Sequence, residues 1–153
     1  MIEIMKNIII YPGRFQPFGP HHFKNYEWLT KIFGRENVFI ATSNKTDENS
    51  PLDFEEKLLC MYRYDIRHTN IIQVKNPYKA EEITSKFDQN ETSVIFAYGE
   101  KDFGRIQFIK KDGTESYLRE YYGQKNLKPL SECGYVIELP HISLSVGGSE
   151  ISG

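Results

Sequence analysis

The sequence predicts an α/β protein built on a doubly wound, mainly parallel five-stranded sheet. Three observations carry that prediction. Short, largely apolar and β-branched runs recur at Asn7–Tyr11, Val38–Thr42, Ile71–Val74, Ser93–Tyr98 and Tyr135–Leu139. These runs are nearly continuous rather than alternating, as expected of strands buried on both faces of a parallel sheet. Segments with helical periodicity separate them, and strand–helix alternation with right-handed crossovers gives an open sheet. Such a sheet binds ligands outside the carboxyl ends of its strands.

With 153 residues the chain is read as one domain, residues 1–153, large enough to bury a real core. Apolar residues at 39% and charged residues at 26% suit a soluble globular protein. Nineteen Lys and Arg nearly balance twenty-one Asp and Glu. A net charge of −2 gives no general attraction to nucleic acid or a membrane surface, so any anion site must be local. Cys60 and Cys133 are far apart and in no paired motif, and are read as reduced structural thiols of a cytoplasmic protein. No run approaches the ~20 apolar residues of a membrane span. Near the N-terminus only Ile8–Ile10 is continuously apolar, short of a secretory leader. Nucleic-acid and membrane partners are not expected, and association into a homo-oligomer is left open.

The elements follow in order. Asn7–Tyr11 is the first strand, stopped by Pro12 and Gly13. A helix starts at His21, with Phe23, Tyr26, Leu29, Ile32 and Phe33 three or four apart and Gly34 as C-cap. The second strand opens into the polar loop Ser43–Asn49. A helix with Ser50 as N-cap, Pro51 at N1 and Asp53 at N3 is expected to run to about Tyr64, with Leu58, Met61 and Tyr62 toward the core. Lys79–Phe87 is expected to be a third, shorter helix. The fourth strand ends in Gly99-Glu100-Lys101-Asp102, where Asp102 is read as the cap of a short helix. Lys110–Gly113 is a turn, Ser116–Lys128 is ambiguous, and Ser145–Gly153 reads as a loop. Three loops are thereby expected on one edge: Pro12–His22, Ser43–Ser50 and Gly99–Asp102.

The first of these is the most informative. A buried strand, a Gly turn and a helix start together make an anion site, because the helix start offers free N–H groups and the positive end of its dipole. The loop has no G-x-G-x-x-G and no Gly-Lys-Ser/Thr, which argues against dehydrogenase and P-loop readings. Gly13-Arg14-Phe15-Gln16-Pro17-Phe18 instead resembles the opening of the nucleotidylyltransferase superfamily, closest to its nicotinamide mononucleotide adenylyltransferase branch, whose opening reads G-R-F-Q-P-F-H-x-G-H. The four residues that follow depart from it. Gly19 stands at the first His position and His21 at the Gly position, while His22 keeps the second His. Ser50–Lys57 resembles the family's N-P-F-x-x-x-E-R segment, with Lys57 at the Arg position. Ile151-Ser152-Gly153 resembles the first three letters of its closing I-S-G-T-x-I-R motif, which is cut there.

The resemblance implies a Rossmann-like nucleotidylyltransferase fold and a nucleotidyltransferase that moves AMP from ATP to a small phosphorylated acceptor such as nicotinamide mononucleotide, releasing pyrophosphate. Arg14, His21 and His22 are the implied catalytic residues. Gly13, Phe15, Gln16, Phe18, Gly19, Lys24, Gly99, Ile151 and Ser152 are the implied nucleotide contacts, and Lys57 the acceptor contact. Mg²⁺ would travel on the triphosphate oxygens, with no dedicated acidic cage. Catalysis of this kind is positioning and charge stabilisation. Two other readings stand beside it. One is a cytidylyltransferase acting on a sugar or alcohol phosphate, whose branch opens G-T-F-D. The other is a non-catalytic nucleotide-binding module, in which the Gly19/His21 exchange and the cut motif remove turnover.

Overall fold

The computed structural model describes residues 5–141, 143–146 and 149–152. Its strands are β1 (Lys6–Pro12), β2 (Val38–Thr42), β3 (Ile71–Gln73), β4 (Thr92–Tyr98), β5 (Leu118–Glu120), β6 (Gly134–Glu138), β7 (Ser143–Val146) and β8 (Ser149–Ser152). The α-helices are α1 (Pro20–Phe33), α2 (Phe54–Met61), α3 (Glu81–Thr84) and α4 (Glu100–Phe103).

Six described strands form one sheet in the order β3-β2-β1-β4-β6-β5, and every pairing within it is parallel. The chain steps outward from β1 to β3, then returns to the other side of β1 at β4. The order therefore reverses between β1 and β4, which is the switch point of a Rossmann-like, doubly wound sheet.

Both faces are covered, which is why the strands are so uniformly apolar. Ile9, Tyr11, Val38, Ile40, Ile95 and Ala97 pack on one side with Tyr26 and Leu29 of α1 and Met61 of α2. Their sequence neighbours Ile8, Ile10, Ala41, Val94 and Phe96 pack on the other with Ile83 and Leu130. The alternation follows from the two-residue period of a strand.

The predicted five-strand sheet is one strand short. The sixth strand, β5, lies in the segment left ambiguous. It is a three-residue edge strand, Leu118↔Gly134 to Glu120↔Val136, too short to show a period in the sequence. The tail expected as loop contains β7 and β8, paired antiparallel from Ser143↔Ser152 to Val146↔Ser149. Ile151 and Ser152 are thus strand residues, not the start of a helix. Gly147, Gly148 and Gly153 lie outside the described residues.

Helix boundaries also shift. Asp53, not Ser50, is the N-cap of α2: its carboxylate accepts from the Glu56 N–H at 2.9 Å, and the Asp53 N–H donates to Glu56 Oε1 at 3.2 Å. A carboxylate–Glu capping box three residues inside the Ser-Pro pair outcompetes it. The helix ends at Met61, and Tyr62 is half exposed rather than in the core. Ile32 is likewise exposed on α1. The third helix shrinks to Glu81–Thr84, entered through Ala80 at φ +47. Gly99, not Asp102, caps α4, and Asp102 lies inside it. Among the described residues, no helix is long and apolar enough to cross a membrane.

Candidate functional site

The loop after β1 turns sharply. Phe15 adopts φ +48, and the Gln16–Pro17 peptide is cis. The left-handed conformation of Phe15 buries its ring against Tyr11, Phe18 and His22. Arg14, one residue earlier, stays exposed at the carboxyl end of the sheet. Gly13 is required for the same reason. A Cβ there would stand 2.7 Å from the Phe15 ring, inside any normal contact.

Side chains then clamp this loop to the segment after β2. Gln16 grips Leu52 with both ends of its amide: Nε2 donates to the Leu52 carbonyl at 2.9 Å, and Oε1 accepts from the Leu52 N–H at 2.8 Å. Arg14 donates to Ser50 Oγ at 3.4 Å. Lys57 reaches back from α2 and donates to Thr42 Oγ1 at 2.9 Å and to the Ser43 carbonyl at 2.8 Å. Thr42 Oγ1 in turn donates to the Arg14 carbonyl at 3.4 Å. Asn44 Oδ1 accepts from the Phe54 N–H and fixes the loop to the start of α2.

These contacts enclose a cleft of about 330 Å³ over the carboxyl ends of β1, β2 and β3. Arg14, Lys45, Lys57 and Lys75 line it, with Asp47 the carboxylate among its lining residues. Lys57 is the unusual member. It is 1% exposed, and both of its hydrogen-bond acceptors are neutral. Burial pushes its ammonium pKa down, and only the nearby Asp53 charge opposes that. A buried cation without a bound carboxylate favours an anionic ligand.

The helix start that follows is built differently. Gly19 is the N-cap of α1, and its N–H donates to His22 Nδ1 at 2.9 Å. His22 therefore occupies the place of the acidic partner in a capping box. Its ring packs edge-on against Phe15 and lies 5.4 Å from the Phe18 ring. Burial first, and the neighbouring His21 second, push its pKa down to about 3, so the imidazole is neutral at pH 7. His21 is 8% exposed, its ring centroid 3.9 Å from that of His22, and its buried Nδ1 has no hydrogen-bond partner. Burial lowers its pKa as well.

The residues expected from the sequence divide accordingly. Gly13, Arg14, Gln16 and Lys57 come together in the cleft. Phe15 and Phe18 are core residues, at 3% and 2% exposure. Gly19, His21 and His22 form the cap of α1, and none lines the cleft. Lys24 is exposed on α1, and Gly99 caps α4. Of the three loops expected to meet, two line the cleft. The Gly99–Asp102 loop reaches it only through Asp102, whose Oδ2 accepts from the Tyr78 hydroxyl at 3.1 Å.

Lys45, Lys75, Asn76 and Tyr78 were missed. The last three follow β3 in a loop tied by the Asn76 side chain, which accepts from the Tyr78 N–H. The signal was there in Lys75-Asn76-Pro77, a turn directly after a parallel strand, where such sheets place ligand loops.

No protein-family model matches this chain, and no curated protein matches it significantly. Solved structures do show similarity. A candidate nicotinate-nucleotide adenylyltransferase from Vibrio parahaemolyticus aligns over 89% of this chain and 74% of that one, with 17% identity and a TM-score of 0.48. The Plasmodium falciparum nicotinic acid mononucleotide adenylyltransferase, complexed with APC or with NaAD, aligns over 90% of this chain and 77% of that one, with 14% identity and a TM-score of 0.48. A likeness at this level carries no argument about chemistry. The fold class rests on the strand order and parallel pairing of this chain itself.

Proposed function

We propose that this chain is a nucleotidyltransferase that transfers AMP from MgATP to a small phosphorylated acceptor such as nicotinamide mononucleotide. The observation that carries the reading is the cleft at the carboxyl ends of β1–β3, where the buried Lys57 cation and Arg14 stand on the Gly13–Phe18 loop and its clamp. In the reaction an acceptor phosphate oxygen attacks the α-phosphorus of ATP. The bond from that phosphorus to the bridging oxygen breaks, and pyrophosphate leaves with the electron pair. Arg14, Lys45 and Lys57 hold the acceptor phosphate and stabilise the charge that spreads over the phosphoryl oxygens. Such fixed cations supply positioning and electrostatic stabilisation without a protein nucleophile. Among the described residues, no group of His, Cys, Asp and Glu forms a metal site. In this reading Mg²⁺ is carried on the triphosphate oxygens of the substrate. A cytoplasmic location fits this substrate.

A second reading is a nucleotide-binding module without turnover. The use of His22 Nδ1 as a helix cap, with the His21 ring tilted against it at 3.9 Å, favours that reading. Pyrophosphate release decides between them, with ATP or CTP as donor and nicotinamide mononucleotide or a sugar phosphate as acceptor. ATP-dependent release that needs the mononucleotide supports the enzyme. Release with CTP moves the assignment to a cytidylyltransferase. Nucleotide binding with no release from any pair leaves the module.

A further inference from the structure

Thr42 is the last residue of β2, fully buried and outside the cleft lining. The sheet holds its backbone. It pairs with Gln73 of β3, its carbonyl accepts from the Val74 N–H at 2.9 Å, and the preceding Ala41 carbonyl accepts from the Gly13 N–H at 3.1 Å. The side chain is therefore free to serve another purpose. A hydroxyl at full burial has to be bonded, and its two neighbours fix its direction. The Lys57 ammonium can only donate, so Oγ1 accepts from it at 2.9 Å. The Arg14 carbonyl can only accept, so it takes the hydroxyl proton at 3.4 Å. A donor on one side and an acceptor on the other leave the hydroxyl one orientation, and bonds aligned head to tail strengthen one another. Lys57 also donates to the Ser43 carbonyl at 2.8 Å. An ammonium has three N–H donors and rotates freely on its stem. Two fixed acceptors stop that rotation and leave one N–H for the cleft that Lys57 lines. Asp53, the carboxylate whose charge reaches Lys57, is bonded to the Glu56 N–H in the cap of α2.

We propose that Thr42 is a positioning residue of the anion site: turned toward Lys57 by the Arg14 carbonyl, its hydroxyl holds the ammonium so that the remaining N–H meets the bound phosphate. The inference rests on the proposed acceptor site and assigns that site a residue which touches no ligand. It also gives Arg14 two separate tasks. The guanidinium faces the anion, while the backbone carbonyl of the same residue orients the group that aims the second cation. A cation held in advance loses little freedom on binding, so its charge is expressed as affinity. A lysine with three free rotors and no such hold would lose part of that affinity in being ordered.

The test is calorimetric titration of the full chain with ribose 5-phosphate, alongside urea unfolding of each variant. Thr42→Val keeps the branched shape and removes the hydroxyl. It should weaken binding by about threefold to tenfold, the range of one hydrogen bond. Thr42→Ser keeps the hydroxyl and should bind within about twofold of the wild type. Thr42→Cys, with a weakly accepting thiol, should fall between them, and it carries the comparison if the Val variant does not fold. In a Lys57→Met background the Thr42 substitutions should cost no further affinity, because the group they act through is gone. A folded Thr42→Val or Thr42→Cys that binds as the wild type does overturns the inference, leaving Thr42 a structural partner and the anion site standing. So does a Thr42→Ser as weak as Thr42→Val, or an equal Thr42 loss with and without Lys57. Ribose 5-phosphate binding unchanged by both Arg14→Ala and Lys57→Met overturns the site, and this inference with it. Failure of the wild type to bind the probe at millimolar concentration does the same.

Discussion

The two ends of one loop show how differently the same stretch of chain can be used. At Gly13–Gln16 the backbone folds under itself, Phe15 goes into the core, and Arg14 and Gln16 turn outward onto the segment after β2. Only a few residues later, at Gly19–His22, the polar side chains turn inward: His22 caps its own helix and the His21 ring lies tilted beside it. The first end presents one cation, Arg14, whose hydrogen-bond partner Ser50 is neutral. The second is a pair of neutral imidazoles in an aromatic nest. Charge available for a ligand is therefore concentrated at the Arg14 end, although the histidines are the more conspicuous letters in the sequence.

The sharpest way to break that comparison is Arg14→Ala. It removes an exposed guanidinium without touching the core, and should cost about 10²-fold or more in acceptor-dependent pyrophosphate release. A loss below about threefold would mean the cleft is not the site. Lys57→Met comes next. It removes the buried cation and leaves the Ser43 carbonyl and Thr42 hydroxyl without their donor, so phosphate affinity should fall at least tenfold and stability by about 1–3 kcal/mol. Titration of ribose 5-phosphate and chemical denaturation read the two effects separately.

Gly13→Ala tests the architecture of the same end. The added methyl meets the Phe15 ring, which is 3% exposed. A stability loss of about 1–3 kcal/mol is expected, measured by urea unfolding, with no change in stability if Phe15 can rotate away.

At the other end the expected effects are smaller on turnover and visible on pH. His22 stays unprotonated in the folded chain until about pH 3, while the unfolded imidazole binds its proton near 6.5. Between those values the unfolded state holds the extra proton, so stability falls as pH drops through this window, by on the order of a few kcal/mol in total. His22→Gln keeps a side-chain acceptor at N3 and removes the titration. Its melting temperature should decline less between pH 6.5 and 4 than that of the wild type, and turnover should change less than tenfold. A His22→Gln loss as large as that of Arg14→Ala would place His22 at the phosphates and reverse the comparison. The smallest expected perturbation is the exchange Gly19→His with His21→Gly. A Cβ at residue 19 meets the His21 ring at 3.2 Å, and the exchange removes that ring, so the helix start can accept it. Raised turnover would show that the native order limits catalysis, whereas a fall would show that His21 is the working group.

By itself, the sequence determined the layered α/β architecture and four of the six strands of the sheet to within a residue or so at each end, because buried parallel strands need unbroken apolar runs and little else produces them. A fifth, β6, was placed one residue late at each end. It also singled out Gly13, Arg14 and Gln16, which the fold brings together in the lining of one cleft. Tertiary structure decided what no local pattern carries. The edge strand β5 exists through its pairing with β6, and three residues cannot announce themselves. Asp53 captured the cap of α2 because its partner Glu56 sits one turn on, displacing Ser50 into contact with Arg14. Lys57 is marked in the sequence only by its place in the Ser50–Lys57 segment, and its burial depends on the two acceptors that the end of β2 supplies. That His22 caps its own helix is visible only once the fold brings the Gly19 N–H to its Nδ1. A side chain's role follows from which polar groups the fold brings within hydrogen-bond reach, and in this protein the decisive partners of Lys57, Gln16 and Tyr78 lie 14, 36 and 24 residues away along the chain.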